Sequence, residues 1–149
     1  MKKKLVAEMF SYFNEIGIIA HLSSNEFQRS MPEGLTQSQF DVLNWFTRVD
    51  TVATPGRLSK AFMVTKGAMT NTLKKLHNKG LIEIVTDENN GRSKIVTMTT
   101  QGQEVRNTAV MNTENLMQEL LGEISVEELT AQIPVLRKLR VLMDERRFK

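Results

Sequence analysis

Between positions 51 and 82 the chain carries two helix-start signals in close succession, and their spacing limits the available folds more than any other feature. Thr54 followed by Pro55 is the first. A threonine hydroxyl can accept from the orphan amides of a helix, and a proline at the first helical position gives up an N–H that has no partner there anyway. Leu58, Ala61 and Phe62 are the inward residues expected of that helix. After Met63 and Val64, Thr65 is a second N-cap, and its helix is expected to run through Lys79 to Gly80, a residue type that ends helices in the left-handed conformation. Two helices separated by three or four residues make a helix-turn-helix. Residues 81–86 and 94–98 are β-rich, and the Asn90-Gly91 dipeptide between them suits a tight reversal with positive φ, which predicts a hairpin.

The flanks are helical. Leu5, Val6, Met9, Phe10, Phe13, Ile16 and Ala20 recur at intervals of three and four, predicting a helix of roughly 20 residues that weakens at Ser23-Ser24-Asn25 and stops by Pro32 and Gly34. Thr36 and Gln39 match a capping box, and Leu35 and Phe40 a hydrophobic staple, at the start of a second helix. Phe40, Leu43 and Phe46 carry its buried face, with Trp45 to one side. Thr99 or Thr100 opens a long helix, with Thr100 and Gln103 as a box and Val105, Ala109, Leu116, Leu120 and Leu121 as its stripe. Gly122 ends it. Ser125 and Glu128 box the last helix, which carries Leu129, Ile133, Leu136, Leu139 and Met143 and a kink at Pro134. The expected fold is mainly α (α+β): a winged helix-turn-helix over 36–98 flanked by N- and C-terminal dimerisation helices, 1–30 and 99–149. The small central lobe covers only part of the apolar stripes on those flanks. Either a second copy covers the rest as a two-fold homodimer, or the three helices bundle within one chain.

Charge is segregated. The 149 residues carry 20 Lys+Arg against 17 Asp+Glu, a formal charge of +3. Positions 51–82 hold no acid, but contain Arg57, Lys60, Lys66, Lys74, Lys75 and Lys79; removing these six leaves 14 bases against 17 acids. A basic window in a mildly acidic remainder is the footprint of a nucleic-acid binder, though a solvated helix face has the same composition. Cysteine is absent, which removes disulfides, thiol chemistry and cysteine-ligated zinc. His21 and His77 lack metal-ligand spacing, so no metal or other cofactor is expected. Paired histidines, a phosphate-cradling glycine loop and a nucleophile motif are all missing, so an enzyme is not expected. Neither a signal peptide nor a membrane span is found, which reads as a cytoplasmic protein.

On the fourth helix, Ala68, Leu73 and Leu76, helped by Val64, are expected to face inward and Lys66, Thr70, Asn71, Lys74 and Lys75 outward. Thr and Asn have short arms that reach base edges, Asn in a bidentate manner to adenine, while lysines supply charge to phosphates. Met69 is either core or an apolar groove contact. Gly67 permits close backbone approach or packs within the chain. Arg57, Ser59 and Lys60 are candidate phosphate contacts on the third helix. Arg92 and Lys94 lie where a wing would enter a minor groove, unless Arg92 pairs with Asp87 or Glu88. Tyr12, His21 and Trp45 either line a cleft for a small ligand or are plain core.

The run from Leu58 to Ile82, with Asn90-Gly-Arg92 and Met98-Thr-Thr-Gln-Gly-Gln-Glu104 after it and Leu35-Thr-Gln-Ser-Gln-Phe-Asp-Val-Leu43 before it, resembles the multiple-antibiotic-resistance regulator (MarR) family. The resemblance implies a homodimeric winged-helix transcription regulator of double-stranded DNA, commonly a repressor of a short palindromic operator, often released by a small aromatic ligand. It also brings Thr65 and Asn90 into the DNA-binding set. Many members have Arg where this chain has Asn71, an acidic residue at Asn90 and Arg at Ile84; Asn71 implies a different base preference, and Asn90 lacks the usual brace of the wing arginine. The competing reading is a winged-helix adaptor module that binds protein without reading DNA.

Overall fold

The computed structural model describes residues 1–32, 34–147 and 149. They form two compact units, 1–112 and 113–149.

The first unit is built from α1 (Lys2–Ser30), α2 (Gln37–Arg48), β1 (Val52–Ala53), α3 (Pro55–Ala61), α4 (Lys66–Asn78), β2 (Ile82–Asp87), β3 (Asn90–Met98) and α5 (Thr100–Met111). The winged helix-turn-helix is present, and its helix starts follow from local chemistry. Thr36 and Gln39 form the reciprocal box on α2, and the hydroxyls of Thr54 and Thr65 accept from the Arg57 and Ala68 amides. Gly80, at φ +73°, closes α4: its amide donates to the His77 carbonyl and that of Leu81 reaches back to Leu76, satisfying carbonyls the helix leaves open. The α1 helix continues through Ser23-Ser24-Asn25 for 29 residues in all. Ser23 Oγ donates to the Ala20 carbonyl and so follows the helical backbone instead of competing with it.

The three strands lie in the order β1-β3-β2, all antiparallel. The two residues of β1 pair as Val52↔Thr97 and Ala53↔Val96. The hairpin turn differs from expectation. Asp87 pairs with Asn90, so Glu88-Asn89 makes the reversal and Asn90-Gly91 lies inside β3, with φ negative at both. Asp87 Oδ1 accepts from the Asn89 amide, and this short-range bond holds the turn without a left-handed residue.

Leu43, Leu58, Leu73, Leu76, Ile82, Val42 and Val96 are the largest fully buried side chains, so the core sits where α2, α3, α4 and the hairpin base converge. Phe40 is only partly buried and Val42 takes the central place on α2. Gly102 sets how closely α5 approaches: a Cβ there would stand 2.1 Å from the Leu81 carbonyl oxygen. Thr99, not Thr100, caps α5, and Gln103 is turned to Asn107 instead of closing a box. Both Nε and Nη2 of Arg106 donate to Asn44 Oδ1, at 3.1 and 2.9 Å, and fasten α5 to α2.

The second unit contains α6 (Glu114–Leu121) and α7 (Val126–Arg146). The single helix expected across 100–121 is therefore two, since α5 closes at Asn112. Asn112 Nδ2 donates to the Ser30 carbonyl, so the side chain beyond the end of α5 is committed to the end of α1. Ser125 and Glu128 form the expected box on α7. No helix among the described residues is long and apolar enough to cross a membrane.

Candidate nucleic-acid interface

The α4 helix buries Met69, Leu73 and Leu76. Spacing of four and three centres the inward stripe on Met69, which resolves the reading of that residue in favour of core and turns Ala68 to the exposed side. Ala68 was expected inward, helped by Val64; both are exposed. The pattern Met69, Thr72, Leu73, Leu76 could have shown this, because it is a complete helical stripe once Ala68 is set aside.

Lys66, Gly67, Thr70, Asn71, Lys74 and Lys75 are all exposed. At 100° per residue, Gly67, Asn71, Lys74 and Asn78 lie opposite the buried stripe, and the others flank them. Among the described residues nothing beyond its own helix backbone and chain neighbours lies within 4 Å of where a Cβ of Gly67 would stand, so that glycine is not there for packing between elements. The ammonium groups of Lys66, Lys74 and Lys75 and the Asn71 carboxamide have no partner among the described residues. Thr70 Oγ1 donates to the Lys66 carbonyl at 2.8 Å, which leaves its lone pairs as its outward function. The Thr65 oxygen is used by the cap.

On α3 the three candidates divide. Ser59 is buried and its Oγ donates to the Gly56 carbonyl at 2.9 Å, so it is not on the exposed face; its small side chain is used inward, where Ala61 was expected. Lys60 is exposed. Arg57 is half-exposed and committed: Nη1 donates to Asp50 Oδ2 at 2.7 Å and to the Val52 carbonyl, and the guanidinium lies over Trp45. This contact, with two backbone amides, holds the Asp50 carboxyl below the ordinary aspartate range. Lys79 is also engaged. Its ammonium donates to the Gly34 carbonyl and, at 2.6 Å, to Gln39 Oε1, tying the end of α4 to the capping box of α2.

In the wing, Asn90, Arg92 and Lys94 are exposed. Arg92 forms no ion pair with Asp87 or Glu88, and its amide donates to Asn90 Oδ1 at 3.3 Å. The register steps from Thr86↔Lys94 to Asp87↔Asn90, so residues 91–93 face no partner across the ladder.

Two clefts in the first unit have linings that do not include Tyr12, His21 or Trp45. A cleft of about 300 Å³ is lined by Phe46, Thr51, Met98, Thr99, Thr100 and Gln103, and a smaller one of about 190 Å³ by Pro32, Gly34, Leu35, Lys79, Leu81, Gln101 and Val105. Trp45 packs edge-on against Phe46 at 5.3 Å, and His21 is exposed on α1.

A model of the MarR family matches residues 33–93. The uncharacterised HTH-type transcriptional regulator YdgJ of Bacillus subtilis is 29% identical over 107 residues, covering 72% of this chain and 65% of that protein. The transcriptional activatory protein BadR of Rhodopseudomonas palustris is 32% identical over 111 residues, covering 72% and 63%. The chain thus spans just under two thirds of the length of these two relatives. It is 27% identical to the multiple antibiotic resistance protein MarR of Escherichia coli over 142 residues, 91% of this chain and 98% of that one. The apo crystal structure of that MarR matches with a TM-score of 0.72 at 26% identity, covering 85% of this chain and 93% of that one. A cysteine-to-serine mutant of it complexed with operator DNA matches with a TM-score of 0.64 at 29% identity, covering 85% and 96%.

Proposed function

The chain belongs to the MarR family, and from that premise we propose that it is a cytoplasmic, sequence-specific DNA-binding transcription regulator, a homodimeric repressor of a short palindromic operator. One observation carries this reading. Lys66, Lys74 and Lys75 stand unpaired among the described residues around Asn71 on the exposed face of α4, in a stretch without a single acid. Asn71 is suited to an adenine edge, the lysines to flanking phosphates, and Arg92 with Lys94 to the neighbouring minor groove.

Residues 36–98 are the reading lobe in this proposal, and 1–30 with 99–149 the dimerisation helices. Supporting a second copy, α1 carries Leu5, Phe10 and Ile19 exposed and no buried residue, and α7, in its own unit, likewise exposes Leu129, Val135 and Leu142. A two-fold pair places two recognition helices on half-sites about one turn of DNA apart. Release by a small aromatic ligand rests on the family resemblance; the Arg57 guanidinium already lies over the Trp45 ring.

Selection of bound fragments from random duplex DNA, followed by salt titration on the selected site, tests the reading. Affinity should fall steeply with salt. Asn71→Ala should relax preference at one base pair, while Lys74→Ala should weaken all duplexes alike and flatten the salt slope. Absence of duplex binding at low salt, or equal effects of the two changes, overturns it.

A further inference from the structure

Asn90 is the one asparagine of the chain followed by glycine, and the structure puts this pair in an open part of the wing. Both residues are exposed, and among the described residues nothing but its chain neighbours lies within 4 Å of where a Cβ of Gly91 would stand. The pairing Asp87↔Asn90 is followed by three residues without a ladder partner, so Gly91 sits where β3 is released from its neighbour. The Asn90 side chain is folded over its own following backbone, because Oδ1 accepts from the Arg92 amide at 3.3 Å.

We propose that Asn90 is a self-modifying site: its carboxamide deamidates through the Gly91 amide, leaving a carboxylate two residues from Arg92. The Gly91 nitrogen attacks Cγ, an N–C bond forms, the carboxamide C–N bond breaks, and ammonia leaves carrying the proton the amide gave up. Water then adds across either carbonyl of the cyclic imide and opens it to aspartate or isoaspartate. No oxidant or enzyme is needed. Each event lowers the formal charge of +3 by one, beside the arginine that the proposed function directs to DNA. The aspartate product creates an acid-Gly-Arg sequence, its carboxylate accepting from the Arg92 amide more strongly than the amide oxygen did. In chemical terms the site takes water as its co-reactant and the wing itself as its substrate.

The full-length folded chain, incubated at mildly alkaline pH, tests this. Peptide mapping should show conversion at Asn90 ahead of Asn71, Asn78 and Asn89, with isoaspartate as the major product, and intact protein should gain a more acidic peak in ion exchange. Gly91→Ala, which the open space accommodates, should slow conversion at Asn90 by an order of magnitude or more, since a methyl group hinders the attacking nitrogen. Conversion of Asn90 no faster than of Asn89, or an unchanged rate in Gly91→Ala, overturns the proposal. The consequence for DNA rests on the proposed function and is read separately: aged wild-type protein and fresh Asn90→Asp should both show a flatter salt slope on duplex than fresh wild type, and aged Gly91→Ala should not. If fresh wild type binds no duplex, the functional reading fails while the chemistry at Asn90 stands or falls on the peptide map alone.

Discussion

The guanidinium carbon of Arg57 lies 5.0 Å from the centre of the Trp45 ring, joining the start of α3 to the last turns of α2 through a cation–π contact. The same guanidinium donates to Asp50 in the loop between them. The first basic residue of the acid-free window is thus held by an acid from just outside it.

Trp45 is the chain's one tryptophan, so its emission reports this contact. Arg57 lowers the Asp50 carboxyl below its usual range, so the ion pair is fully formed above the ordinary aspartate value of about 3.9 and is lost as pH falls through the lowered one. Acid titration should change Trp45 emission at a pH below that value, ahead of global unfolding followed by far-UV circular dichroism. In Asp50→Asn that early step should be missing; a step that persists would assign it to another group.

Two left-handed positions should respond to substitution with opposite signs. Met63, in the turn between α3 and α4, has φ +52° and is exposed, so Met63→Gly should stabilise the chain by about 0.5–1 kcal/mol. Gly80→Ala should cost about 1 kcal/mol at φ +73°. Urea unfolding measures both, and a destabilising Met63→Gly would show that the side chain contributes more than its backbone costs.

Gly102 leaves no room for a methyl group against the Leu81 carbonyl. Gly102→Ala should destabilise by about 1–3 kcal/mol, because the clash is with backbone and α5 must move away. Gly67→Ala, facing open space, should instead stabilise α4 by up to about 1 kcal/mol while obstructing close approach of DNA. Denaturation and duplex binding together separate these two glycines.

Ala68 is the sole methyl-bearing apolar side chain on the exposed side of α4, one turn before Asn71. Contact with the 5-methyl group of thymine is its natural use in a major groove. Replacing one thymine of the selected site by uracil should weaken wild type by about 0.8 kcal/mol, roughly fourfold, and leave Ala68→Gly indifferent to the same change. Uniform indifference across all thymines would remove Ala68 from the reading set.

If a second copy covers α1 and α7, then Phe10→Glu and Leu142→Glu should each weaken association at least tenfold, about 1.4 kcal/mol, as measured by sedimentation. A wild type that sediments as a monomer would remove the second copy, and a dimer unchanged by both substitutions would place its interface off these faces.

What could be read from the residues alone divides by the range of the interactions involved. Thr36 with Gln39, Thr54 with Pro55, Thr65, and Ser125 with Glu128 were legible because a cap is settled within four residues. The turn at Glu88-Asn89 was not, since Asn90-Gly91 is the stronger local signal and pairing with β2 overrides it. Strand β1 has two residues and becomes a strand only through β3. Ser59 looked like a phosphate ligand on a basic helix, but its hydroxyl is satisfied by the carbonyl three residues earlier, so it can be buried. Counting charges had the same weakness: Arg57 and Lys79 belong to the basic window in sequence, yet Asp50 holds one and the α2 box the other.

The register shift beyond Thr86 separates two zones of the hairpin with different tolerances. Below it, Ile82 and Val96 are in the core, β1 closes one edge, and Gly102 holds α5 against Leu81. Above it, the tip already contains three residues that no partner strand counts. Insertions or deletions there change how far the wing reaches without moving a buried side chain. Wing length is accordingly a trait that descent or engineering can adjust independently of the lobe that carries it.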